Sequence, residues 1–124
     1  MRARGFTLLE LLFVLIIVAL LAGIVGPMLV GSIGRAREST LKEDIHVMRR
    51  AIDDYYADNG KYPGELTDLV DKRYLRGIPA DPVTERRDTW IVIRAGNDRG
   101  LGGIVDVHSG SELAANDGTF YRDW

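Results

Sequence analysis

The sequence predicts an α+β chain: one long N-terminal helix, covered along its second half by a short helix and a small antiparallel sheet. Three observations predict it. No residue from Leu11 to Val30 is charged or strongly polar, and at about 1.5 Å rise per residue a helix over that run is about 30 Å long, enough to cross the hydrocarbon core of a bilayer. Leu41, Ile45, Met48, Ile52 and Tyr55 recur at offsets 0, 4, 7, 11 and 14, the stripe of one apolar helix face. Trp90-Ile91-Val92-Ile93 and Ile104-Val105-Asp106-Val107 are short runs of β-formers, separated by turn residues at Gly96-Asn97-Asp98-Arg99-Gly100.

The N-terminal stretch carries one anomaly. Glu10 lies just inside the apolar run, where an acidic residue near the bilayer centre costs about 2.5 to 3.5 kcal/mol on insertion scales. A plain single-span anchor has no need of it. A secretory signal peptide, with Ala19 to Ala22 as its cut site, is the other simple reading, but its apolar core is about 7 to 15 residues, shorter than this run. Charge does not fix an orientation, because Arg2 and Arg4 flank one side of the span and Arg35 and Arg37 the other.

Gly5-Phe6-Thr7-Leu8-Leu9-Glu10 resembles the class III signal of type IV pilins and of the pseudopilins of type II secretion, with the major pseudopilin nearest. The resemblance implies a leader over residues 1–5 and cleavage after Gly5 by a prepilin peptidase on the cytoplasmic side, with N-methylation of Phe6. It also implies a transmembrane assembly helix over 6–30 and a periplasmic head over 31–124. Pro27 stands where many members have a proline. Cleavage creates a cationic amine on Phe6, and a carboxylate four residues along a helix can reach it in the same chain or on a neighbour. The resemblance implies the pairing between subunits, with Glu10 setting register; the residues themselves leave both open.

Composition bounds the remainder. The chain has 124 residues, a net charge of −2 with both signs interspersed, and no cysteine. That leaves room for one small head and offers no basic footprint for nucleic acid. A disulfide framework, thiolate zinc and a cysteine nucleophile are excluded. Many type IV pilins close a C-terminal loop with a disulfide, so the absence of cysteine tilts the resemblance towards a pseudopilin.

Along the chain, Gly23, Gly26 and Pro27 weaken the helix and predict a kink or a melted turn, with Gly31 and Gly34 a second soft point. The stripe from Leu41 to Tyr55 is expected to be the core face of the head; a coiled coil needs more heptads. Asp58-Asn59-Gly60 ends the helix, with Gly60 suited to a left-handed cap and Pro63 unable to resume the pattern. The stretch Tyr55 to Pro63 also resembles a pseudopilin segment, its tyrosines packing with their hydroxyls at the surface. Leu66, Leu69 and Val70 predict a short second helix. Ile78-Pro79-Ala80-Asp81-Pro82 predicts a structured, extended loop.

The stretch from Asp106 to Gly118 is rich in oxygen-bearing side chains and glycine, and calcium takes 6 to 8 oxygens. Many major pseudopilins bind calcium in a loop here, ahead of a tryptophan like Trp124, and the resemblance implies Asp106, Ser109, Asn116 and Asp117 as ligands. Ser109-Gly110 stands where an aspartate-glycine is usual, so a metal-free turn stays open beside calcium.

Catalysis finds no support. His46 and His108 have no cysteine, Gly-x-Ser-x-Gly elbow or His-Glu-x-x-His pair around them. Asp106, His108 and Ser109 contain triad letters, but neighbours along a strand alternate faces.

The resemblance implies a non-enzymatic subunit that polymerises from the bacterial inner membrane to drive protein export. Its implied partners are copies of itself, minor pseudopilins, the prepilin peptidase, a secretion ATPase and an inner-membrane platform protein. A type IV pilus subunit for adhesion or motility is the alternative reading, and a membrane-tethered binding module a more distant one.

Overall fold

The computed structural model describes residues 3–96 and 102–124. Arg2 of the basic leader and most of the turn expected between the strands lie outside the described residues. The element order is α1 (Leu8–Asn59), α2 (Leu66–Asp71), β1 (Ile91–Arg94), β2 (Ile104–His108) and a single 3₁₀ turn, Tyr121–Asp123. The chain forms two compact units, one running to Arg35 and the other spanning Ala36–Trp124.

In the N-terminal unit, every residue from Leu8 to Val30 is exposed. α1 is long and apolar enough in this part to cross a membrane. It remains helical through Gly23, Gly26, Pro27, Gly31 and Gly34, so the melted turn expected there does not occur. Proline removes one backbone hydrogen bond, and the turns on either side retain theirs.

The C-terminal unit is built on the predicted stripe. Leu41, Ile45, Met48, Ile52 and Tyr55 are all buried, joined by Ala51 between them. Leu69 of α2, Leu75, Trp90, Ile104, Val107, Ala115 and Tyr121 complete the core. Burying a side chain of this kind contributes about 1.5 to 3 kcal/mol, so the stripe is the main reason this part of the chain folds.

α1 stops where its sequence says it should. Gly60 takes φ 68° and its N–H reaches the Tyr56 carbonyl at 2.8 Å, a closure that glycine makes without steric cost. Asn59 donates its side-chain amide to the Tyr55 carbonyl at 2.9 Å. α2 starts where the Asp68 carboxylate accepts the N–H groups of Gly64 and Glu65, at 2.9 and 3.0 Å.

β1 and β2 pair antiparallel, Ile91 opposite His108 and Ile93 opposite Asp106, with an irregularity between Ile93 and Arg94. The predicted strands are thus present, shifted so that Trp90 precedes β1. Trp90 is buried instead, and its indole donates to the Pro79 carbonyl at 2.8 Å. Gly110 follows β2 at a point where an added Cβ would lie 1.9 Å from the Thr89 carbonyl oxygen. Only glycine lets the two backbones pass that closely.

Candidate functional site

Two regions carry the residues singled out from the sequence. At the N-terminus, residues 3–7 are not helical and α1 begins at Leu8. Thr7 caps it: its hydroxyl accepts the Glu10 N–H at 3.1 Å, and its carbonyl accepts the Leu11 N–H at 3.1 Å. Such a cap satisfies a donor of the first turn that has no partner inside the helix.

Thr7-Leu8-Leu9-Glu10 is therefore also a helix-start signal, a threonine followed three residues later by glutamate. That signal was legible in the sequence and the membrane reading passed over it. It gives Glu10 a second reason to be where it is, since a carboxylate in the first turn interacts favourably with the helix dipole. The Gly5–Phe6 bond consequently lies in non-helical chain, with Phe6 82% exposed. Pro27 lies inside α1 with no break around it.

The second region is the stretch after β2. Leu113 to Tyr121 close on themselves: the Ala115 N–H donates to the Thr119 carbonyl at 2.6 Å, Gly118 to Ala115 at 3.0 Å, and Tyr121 to Leu113 at 3.1 Å. Two side chains of α1 hold this loop from beneath. Glu38 accepts the Asn116 N–H at 2.8 Å and the Tyr121 hydroxyl at 2.9 Å. Arg49 donates to the main-chain oxygen of Trp124 at 2.6 Å, to that of Val107 at 3.3 Å and to the Asp106 carboxylate at 2.6 Å.

The electrostatics follow from these contacts. Partial burial pushes the Asp106 carboxyl up, but the hydrogen bonds from Arg49 and the Val107 N–H, with the charges of Arg49 and His108, hold it below its usual 3.8. Burial first, and then Glu38, raise the Tyr121 phenol above its usual 10, so it stays protonated as the donor. Hydrogen bonds from Thr119 lower the Asp117 carboxyl, and Lys42 adds to this.

The calcium candidates differ in what already holds them. Asp106 is paired with Arg49, and its other oxygen is 3.3 Å from His108 Nε2. Ser109 is fully buried and donates to Asp81. Asp117 Oδ1 accepts both the N–H and the hydroxyl of Thr119, at 2.9 and 2.6 Å. Asn116 is exposed and is fixed through its backbone by Glu38. Among the described residues no three His, Cys, Asp or Glu side chains gather as a metal site. Of the four, Asp106 and Ser109 are thus bonded to Arg49 and Asp81, and Asp117 is bonded through one oxygen only.

The triad letters do not assemble either. His108 approaches Asp106 because they are two apart on one strand face, while the Ser109 hydroxyl is turned to buried Asp81. Glu38, Arg49 and Asp81 were missed from sequence because each acts on a residue far along the chain, and no local pattern announces such a partner.

The N-terminal residues 1–26 match the family model for the prokaryotic N-terminal methylation motif. The chain is 40% identical over 97 residues to the type II secretion system core protein G of Klebsiella pneumoniae, covering 65% of this chain and 69% of that protein. It is 38% identical over 98 residues to the core protein G of Pectobacterium carotovorum subsp. carotovorum, covering 72% of this chain and 63% of the relative's length. The corresponding protein of Escherichia coli strain K12 is 34% identical over 97 residues, 65% of this chain and 67% of that protein. No solved structure matches the chain.

Proposed function

We propose, from the premise that this chain belongs to the family of type II secretion system core protein G, the major pseudopilins, that it is a structural subunit whose copies polymerise from the inner membrane into a periplasmic pseudopilus during protein export. One observation carries the reading: a non-helical Gly5–Phe6 junction lies just before a helix whose N-terminal part, to Val30, is apolar, exposed and acidic only at Glu10. A surface of that kind needs lipid or other apolar helices around it, because leaving it in water forfeits about 25 cal/mol for every Å² of apolar area.

In this reading residues 1–5 are removed by a prepilin peptidase, and the new Phe6 amine is methylated. The amine then pairs with Glu10 of a neighbouring subunit as the helices bundle. That pairing offsets the desolvation of Glu10, which is costly for a carboxylate alone. Pro27 lies in the same bundled segment. The C-terminal unit faces the periplasm, minor pseudopilins join the same filament, and the secretion ATPase and platform protein drive insertion of subunits. The names of the relatives give no support to a type IV pilus subunit.

The test is to produce the full chain together with the peptidase, ATPase and platform protein of its own genome. Mass spectrometry of the membrane fraction should find a mature chain beginning at methylated Phe6, and sheared filaments should contain it. A chain cut after Ala22, or left uncut beside active peptidase, overturns the reading.

A further inference from the structure

We infer that the C-terminal loop of this chain is fastened to α1 by Glu38 and Arg49 in place of a metal ion, so that the C-terminal unit folds independently of calcium. Glu38, Lys42, Ile45 and Arg49 follow one another at helical spacing, so they share one face of α1. Ile45 is core, and the three charged residues reach up to the loop. Glu38 holds its near side through Asn116 and Tyr121. Arg49 holds the far side through Trp124 and Val107. Between them the Lys42 ammonium lies 4.6 Å from the centre of the Trp124 ring, within range of a cation–π attraction.

A cation that organises a loop does so by gathering oxygens that would otherwise repel one another. Here several of the oxygens already face a donor. The carbonyls of Leu113, Ala115 and Thr119 accept N–H groups of the loop itself. Asp117 Oδ1 accepts from Thr119, whose hydroxyl in turn accepts the Trp124 indole N–H at 2.8 Å. Asp106 is spent on Arg49.

Calcium would have to displace a guanidinium from Asp106 and draw Ser109 out of the core. It would also have to enter a depression lined by Lys42 and Arg49 beside Asp117, Thr119 and Trp124. Two cations facing the same hollow oppose a third charge of their own sign. The negative member of the arrangement, Glu38, accepts a main-chain N–H and a phenol on its Oε1. The inference does not depend on the filament reading, since it concerns only how one unit holds its own C-terminal loop.

The experiment uses the full chain in detergent micelles. Both tryptophans, Trp90 and Trp124, belong to the C-terminal unit, so their fluorescence reports its melting. The native midpoint should be the same in chelator and in millimolar calcium. A calcium-dependent rise of about 4 °C or more, the shift expected for a real change in stability in a unit of this size, overturns the inference.

Glu38→Leu should lower the midpoint by about 4 to 8 °C or more, and Glu38→Gln, which keeps an acceptor, should stay nearer the native value. Tyr121→Phe removes only one of the two Glu38 contacts and should fall by a few degrees even if Glu38→Leu does not fold. Native-like melting of both Glu38→Leu and Tyr121→Phe also overturns it.

Discussion

Ser109 donates its hydroxyl to the Asp81 carboxylate across 2.5 Å, and neither residue is exposed to solvent. Asp81 Oδ1 is occupied separately, by the N–H groups of Val83 at 2.8 Å and Thr84 at 3.2 Å. The carboxylate thus closes the turn that follows Asp81 and ties it to the end of β2. Removing Ser109 would strand one buried carboxylate oxygen, which costs about 1 to 3 kcal/mol, more for a charged group. Ser109→Ala should therefore lower the melting midpoint of the full chain by several degrees, and the loss should be the same with calcium or chelator. A native midpoint would show that the Oδ2 contact is dispensable.

Glu10→Leu separates insertion from assembly. Removing the carboxylate removes a cost of about 2.5 to 3.5 kcal/mol for a charge near the bilayer centre, so membrane recovery should be undiminished. Filament yield should collapse, since the Phe6 amine of a packed neighbour loses its counter-charge. Sheared-filament yield measured against total membrane protein reads both, and a normal ratio would remove Glu10 from assembly.

Thr7→Ala should loosen the start of α1. The Glu10 N–H loses its acceptor, and losing a cap of this type costs about 0.5 to 2 kcal/mol. Amide exchange in micelles should speed up at Glu10 and its neighbours in Thr7→Ala but not in Thr7→Ser, which keeps a hydroxyl. Equal protection in both variants would mean that the helix start does not depend on the cap.

Acid should weaken the C-terminal unit through Asp106. Its carboxyl is held below the usual 3.8, so the unfolded chain takes up that proton first as pH falls. The stabilisation is present above the unfolded value and is lost as pH falls through the lower, folded one. Asp44 acts in the opposite sense: burial, then Asp81 and Glu43, raise it, so the folded state gains from protonating it. Comparing native protein with Asp106→Asn isolates the first effect. Asp106→Asn should melt lower at neutral pH, and the gap should close below about pH 3. A gap that persists in acid would assign the loss to packing rather than charge.

The long helix was legible because its signals are local. The apolar run, the stripe from Leu41 to Tyr55 and the Asn59-Gly60 stop each depend on residues within a few positions, and every residue of that stripe is buried where the spacing placed it. The β segments were legible to within a residue, from Val and Ile content and the glycines between them. The continuity of α1 through Pro27 was not. Local propensity names the weak point, but one missing hydrogen bond among many does not break a helix.

By itself, then, the sequence determined the apolar helix, the Gly5-Phe6 junction with Glu10, the core stripe and the strand pair, because periodicity and composition act over a few residues. Only the tertiary structure decided which oxygens of the C-terminal stretch are free. Ser109 reads as a polar loop residue until Asp81, 28 positions earlier, is packed against it. Asp106 reads as a carboxylate with no evident partner until the fold brings Arg49, 57 positions earlier, to it. Glu38 reads as a solvated charge until the fold brings Tyr121, 83 positions away, to its carboxylate. A side chain's chemistry depends on which donor or acceptor lies within about 3 Å of it, and for these residues that neighbour is set by how the loop packs on α1.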